Sequence, residues 1–412
     1  MSAPRSPRAR GAARRRAAAR RRRALAATAF VAAVAGAAVG AGSSDGDGSA
    51  PKRPDPSTPP DSSNLLDPST APDSSNVRDS SNLSELSDGQ LAGERVVTGF
   101  KGTHPPAPVR QMIRAGRLAG VILFADNFDS ASGARALTRR LKSIKRPPGL
   151  RSPLLVMVDQ EGGEVKRLPG PPAGSAAAMG ARGPDYCRRQ GTKTGRLLRG
   201  VGINVDLAPV LDVARQGSAI GAEHRAFGHR AKSVSSRANA FAAGLAGTRV
   251  AATAKHFPGL GAAPRDTDVA VQRIDMPTAK LRAIDERPYR RFIAARGPMV
   301  MVSTAIYPRL SRLPAALSRA IATGELRERL GFRGVSISDS LETTSARAVG
   351  GPTRLARLGA SAGTDLLLYT SPSDALAATR ELTRNLRSGR LGHAGFRASA
   401  ARVLGLRSSL PG

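Results

Sequence analysis

Eight short apolar runs divide this chain, and amphipathic segments separate them. The runs are Arg95–Thr98, Gly120–Phe124, Leu154–Asp159, Ile203–Asp212, Ala251–His256, Met299–Thr304, Gly334–Asp339 and Asp365–Thr370. Each is the length of a strand, and apolar character without alternation marks strands buried on both faces, as in a parallel sheet. Segments such as Ala131–Lys145, Tyr186–Arg199, Ser233–Ala246, Thr278–Ala295 and Pro314–Leu330 carry helical periodicity. Eight β-α alternations predict an α/β fold of the (β/α)8 TIM-barrel type. A doubly wound open sheet is the alternative, but no Gly-x-Gly-x-x-Gly follows the first run. Aromatic residues make up 3% of the 412-residue chain and Trp is absent, so the core rests on Ala, Val, Leu and Ile.

The segment ahead of the first run has a different character. Residues 1–42 place ten arginines within the first 23 positions, followed by an uncharged Ala/Val stretch and small residues. That order has the form of a secretory signal, with an uncleaved membrane anchor as the alternative. Residues 43–82 repeat Asp-Pro-Ser-Thr and Asp-Ser-Ser-Asn units and are expected to form a disordered linker. Residues 83–412 form the expected barrel domain, and the stretch past the eighth run leaves room for a closing helix. The localisation expected is secreted or extracytoplasmic, anchored if the leader is retained.

The net charge is +33. Such a surface attracts polyanions, and anionic wall polymers are one candidate partner. No aromatic-interleaved or zinc-finger pattern supports nucleic acid. The single Cys187 excludes internal disulfides and Cys-based zinc sites, and its helical setting reads as packing or surface. No metal-ligand constellation appears and no cofactor is implied. A monomer is expected.

Polar residues stand where the apolar runs end: Asp159, Asp212, Lys255 with His256, Thr304 and Asp339. A single Asp after a strand is often a helix cap. Five such ends in succession would meet at one barrel mouth, where enzymes of this architecture keep their chemistry. After Lys255 and His256 come Pro258, Gly259 and Gly261, which delay the next helix, and then Asp266-Thr267-Asp268 on a loop.

These motifs resemble glycoside hydrolase family 3, in its single-domain β-N-acetylhexosaminidase branch. Asp159-Gln160-Glu161-Gly162-Gly163-Glu164-Val165-Lys166-Arg167 is similar to that family's Asp-Gln-Glu-Gly-Gly-x-Val-x-Arg segment. The fourth run, from Gly202 to Val213, the Arg225-Ala226-Phe227-Gly228 loop and Lys255-His256-Phe257-Pro258-Gly259 match in order, as does the seventh run around Asp339. The resemblance implies a retaining glycosidase acting on carbohydrates that carry terminal β-linked N-acetylglucosamine. It implies Asp339 as nucleophile, with Asp159, Arg167, Arg225, Lys255 and His256 holding the sugar. Surrounding cations are expected to keep the Asp339 carboxylate ionised.

The chain departs from the family in three places. The acid/base His of the loop Asp-x-His dyad is Asp268, a second loop His is Leu260, and a His at the sixth strand end is Thr304. One reading makes Asp268 the acid/base, with Asp266 beside it raising one pKa by repulsion and an acid-shifted optimum as the result. The other makes the barrel a catalytically impaired glycan-binding module. Glu223 is a possible substitute acid, whereas His224 and His229 read as loop or surface residues. His104 and His393 read as surface, and Glu342 as the start of a helix.

Overall fold

The computed structural model describes Leu83 and residues 85–412. The leader and the linker up to residue 82 lie outside the described residues.

The eight runs all form strands: β1 (Val96–Thr98), β2 (Gly120–Leu123), β3 (Leu155–Val158), β4 (Val205–Asp206), β5 (Ala251–Phe257), β6 (Met299–Val302), β7 (Val335–Ser338) and β8 (Leu367–Tyr369). They pair in parallel in chain order, β1 also pairs with β8, and the sheet closes through an Ile337–Leu366 bridge. Ser338 donates to the Leu366 carbonyl at 2.9 Å across that seam. The result is the (β/α)8 barrel. Successive side chains explain why the runs are mostly apolar. Val97, Ile122, Met157, Val205, Met301 and Ile337 fill the barrel interior, while Val96, Val121, Val156, Val158, Val300 and Val302 pack outward against helices.

Three elements differ from expectation. The helix expected over Pro314–Leu330 forms as Ala315–Leu317 and a wider π-type helix Ala320–Arg329, with Ser318 between. β4 is short, because Pro209 has no N–H to donate and the ladder toward β5 becomes irregular; Leu211 instead donates to Lys255 at 2.6 Å. The helix expected over Thr278–Ala295 breaks into Thr278–Ile284 and Arg287–Ala294, with Pro288 in the first turn of the second.

Two helices follow β8, Pro372–Arg387 and His393–Ser409. The second plugs the end of the barrel where the strands begin. Val403 and Leu410 join the interior cluster, Arg402 pairs with Asp365 at 2.7 Å, and Arg407 pairs with Glu94 and donates to the Pro153 carbonyl at 2.8 Å. With that end closed, a ligand reaches the barrel axis from the opposite mouth. No helix among the described residues is long and apolar enough to cross a membrane.

Candidate active site

The eight site residues expected from sequence all line one cavity of about 440 Å³ at the mouth. Its floor is the top of the barrel interior, Ile122, Leu207, Met301 and Leu368, and its walls carry the charges.

The first wall is built from β3. Past Asp159 the chain forms a short hairpin, Gln160–Gly162 against Val165–Lys166. Gly162 has φ 103°, and a Cβ there would lie 2.2 Å from the Gly174 carbonyl oxygen, so glycine is required. The Gln160 amide clasps the returning chain. It donates to the Leu168 and Pro171 carbonyls at 2.9 and 2.8 Å and accepts from the Arg167 and Leu168 N–H groups at 3.0 Å. That clasp brings Arg167 to 3.7 Å from Asp159.

On β5, Lys255 is buried, and its ammonium lies 2.7 Å from both Asp159 and Glu161. Glu161 also receives the Arg225 fork, at 2.9 and 2.8 Å. The third Arg225 nitrogen lies 3.1 Å from Glu223 and 3.7 Å from Asp266. Burial alone would raise the Glu161 pKa, but Arg225 and Lys255 outweigh it and hold the carboxyl well below the usual range. Burial likewise works against the Lys255 charge, yet Asp159 and Glu161 raise its pKa. Beneath this cluster, buried Asp206 accepts from the Gln160 N–H at 3.0 Å and its other oxygen has no partner. Burial pushes its pKa up to about 8.

His256 is the next residue of β5, beyond a cis Lys255–His256 peptide bond. Its Nδ1 lies 2.7 Å from buried Asp212, whose other oxygen accepts from the Leu260 N–H at 2.6 Å. An ionised carboxylate can only accept, so Nδ1 carries the proton and Nε2 is left for the cavity. Burial lowers the His256 pKa, but the Asp212 charge and hydrogen bond and the Asp339 charge outweigh it, and the pKa is raised. Gly259 then turns the chain at φ 140°, and a Cβ there would lie 2.5 Å from Asp285 Cβ.

Asp339 follows β7 and accepts from the Ser340 N–H at 2.8 Å. Its surroundings differ from expectation. Lys255 and Arg225 are committed to Asp159, Glu161 and Glu223, so burial dominates at Asp339 and its pKa is raised, although His256, the Ser340 N–H and Lys255 pull it down.

Asp266 and Asp268 lie on the loop after β5. Asp268 is exposed as a residue yet lines the cavity. Partial burial there, with the charges of Asp339 and Asp266, pushes its pKa up to about 6. The two other positions that lack an imidazole are filled by packing and by a hydroxyl. Leu260 is buried, and Thr304 lies 3.1 Å from the Thr343 hydroxyl.

Sequence reasoning missed Glu161 as a site residue, although it lies inside the quoted motif. Two buried cations at one mouth demand several carboxylates, and that charge balance was the available signal. Glu342 does not start its own helix. It sits in a turn, lines the cavity and accepts from the Thr370 and Ser371 N–H groups at 2.8 and 3.1 Å, just ahead of the next helix. Glu223 lines the cavity and is tied to Arg225. His224, His229, His104 and His393 are exposed, and His229 Nδ1 lies 3.2 Å from the Ala214 carbonyl. Cys187 is buried, with its thiol pushed up to about 11 by burial.

Residues 88–406 match the profile of the Glycosyl hydrolase family 3 N terminal domain. An uncharacterized secreted glycosyl hydrolase of Arthroderma benhamiae is 36% identical over 329 residues, 77% of this chain and 93% of that one. A beta-hexosaminidase of Alkalilimnicola ehrlichii is 34% identical over 294 residues, 69% of this chain and 82% of its own. Among solved structures, a family 3 beta-N-acetylglucosaminidase from Paenibacillus superposes with a TM-score of 0.75 at 30% identity, over 79% of this chain and 62% of the other. A beta-N-acetylhexosaminidase from Beutenbergia cavernae gives 0.73 at 32%, over 78% and 98%.

Proposed function

The chain belongs to glycosyl hydrolase family 3 and hydrolyses glycosidic bonds, and from that premise we propose that it is a retaining β-N-acetylhexosaminidase with Asp339 as nucleophile and Asp268 as acid/base. The observation that carries this reading is the shared cavity of the two carboxyl groups, in which the charge of Asp339 helps to raise the pKa of Asp268.

Asp339 attacks the anomeric carbon while protonated Asp268 gives its proton to the departing glycosidic oxygen. The ester so formed is neutral. Loss of the Asp339 charge then lowers the Asp268 pKa, and the resulting carboxylate takes a proton from the water that releases the sugar. One group thereby serves as acid in the first step and base in the second.

Asp159, Arg167, Arg225, Lys255 and His256 grip the sugar hydroxyls and N-acetyl group, and Arg225 also pairs with Glu161. The names of the similar enzymes support a terminal β-linked N-acetylhexosamine, from cell-wall fragments or chitin-type oligosaccharides. The leader sequence and the secreted relative support export, and the net charge of +33 supports association with anionic wall polymers. We propose a monomer.

The test is hydrolysis of an aryl β-N-acetylglucosaminide by the full chain, from about pH 4 to about pH 8, beside Asp339→Ala and Asp268→Ala. Turnover lost in Asp339→Ala and slow release of a glycosyl-enzyme in Asp268→Ala are the expected results. A wild type no faster than Asp339→Ala at any pH sinks the enzyme reading and leaves a glycan-binding barrel.

A further inference from the structure

We propose that Thr344 and Ser345 are positioning residues that lock the loop carrying Asp268 onto the segment carrying Asp339. The inference rests on Asp268 being the acid/base and adds what holds it in place.

The loop is anchored at both ends. At its start Ala219 donates to the Ala263 carbonyl at 3.0 Å, and at its end Ile306 donates to the Gln272 carbonyl at 2.9 Å. Between those anchors the Asp268 carboxyl makes no hydrogen bond among the described residues, and Asp266 lies 3.7 Å from Arg225. Within the loop the Asp268 N–H donates to Asp266 Oδ1 at 2.9 Å, and the links from the segment after Asp339 are made to the loop backbone. Thr344 Oγ1 donates to the Asp268 carbonyl at 2.6 Å, and Ser345 donates from its N–H to the Thr267 carbonyl at 3.4 Å. The Ser345 hydroxyl donates to the Ala270 carbonyl at 3.2 Å and accepts from the Gln272 N–H at 3.1 Å.

Thr344 itself is exposed, but the residues on either side of it in this clamp are packed in. Ser345 and Thr343 are buried, Thr343 Oγ1 accepts from the Ala346 N–H at 3.1 Å, and Thr304 lies against Thr343 from the end of β6. Thr344 follows Asp339 by five positions. One short segment therefore carries the nucleophile and grips the backbone of the acid/base, so the two groups keep their spacing even though Asp268 is on an exposed loop. Where Thr304 replaces an imidazole, its hydroxyl becomes part of that support.

A displacement of about 1 Å at a reacting group costs on the order of 100-fold in rate. Thr344→Val and Ser345→Ala, made in the full chain, are each expected to lower kcat/KM about 10- to 100-fold on a phenyl β-N-acetylglucosaminide, which needs proton donation. On the dinitrophenyl glycoside, whose leaving group needs none, glycosylation stays near wild type. Thr344→Ser keeps the hydroxyl and restores the rate. Added to Asp268→Ala, Thr344→Val brings no further loss, because the two act as one unit. Equal losses on both glycosides, or none on either, overturn the inference. If Asp268→Ala depends on the leaving group and neither clamp variant does, the clamp fails while the proposed function stands. If Asp268→Ala itself shows no such dependence, both fail. Unfolding curves that match wild type exclude a folding defect.

Discussion

Arg225 grips Glu161 with two bonds, 2.9 and 2.8 Å long, one to each carboxylate oxygen. The pair is bidentate and largely buried, and the Lys255 ammonium lies 2.7 Å from the same Oε1 that Arg225 Nη2 holds. Removing the central charge would leave two buried cations short of a partner. Glu161→Gln is therefore expected to cost about 3–5 kcal/mol of stability, read from urea unfolding. A change below about 1 kcal/mol, the size of an exposed pair, would refute the assignment of Glu161 as the hub.

The pH profile follows from the two carboxyl groups in the cavity. Asp268 must be protonated to act as acid, and its pKa is about 6. On a substrate with a poor leaving group, kcat/KM should fall as pH rises through that value. Asp339 must be ionised, and its raised pKa makes activity fall on the acid side as well. The optimum is thus acid-shifted, with a limb on either side. Asp268→Ala should abolish the alkaline limb, and survival of that limb would assign it to another group.

His256 gives a stability signal of opposite sign to an ordinary carboxylate. Its folded pKa is raised above the unfolded value of about 6.5. Its contribution is fully present below that pH and is lost as pH rises through the folded value. In Asp212→Asn the partner charge is gone while the oxygen facing the Leu260 N–H is retained. Wild type should lose more unfolding free energy than the variant across that window. Parallel curves for the two proteins would exclude the linkage.

At the closed end of the barrel, Arg407 and Glu94 are both fully buried and paired. Arg407→Ala removes one of the cations that hold Glu94 and leaves Arg146, 3.0 Å away, still paired with it. Loss of about 1–3 kcal/mol is expected in chemical denaturation, because buried acceptors lose a donor while Glu94 keeps a cation. The active-site mouth is at the other end, so kcat per folded molecule should stay at the wild-type value. A kcat that falls with stability would mean that the two ends are coupled.

The barrel was legible because its signal is local and periodic. A strand buried on both faces is apolar at most positions, and Leu155 to Val158 or Met299 to Val302 show that in any short window. The residues that end the strands were legible too, since a polar group after such a run has few places to go except the mouth. Partner choice was not. Lys255 meets Asp159 across 96 residues, Arg225 meets Glu161 across 64, and Thr344 meets Asp268 across 76. Nothing in local spacing ranks those pairs above others. Glu342 shows the same limit: beside a short helix it reads as that helix's acidic first turn, yet its carboxylate holds the N–H groups of Thr370 and Ser371. The sequence alone determined the β-α alternation, because burial acts on each strand separately. Tertiary structure decided which charges face substrate and which neutralise each other, because closing the ring brings distant strand ends within a few ångströms, where Coulomb attraction and desolvation choose the pairs.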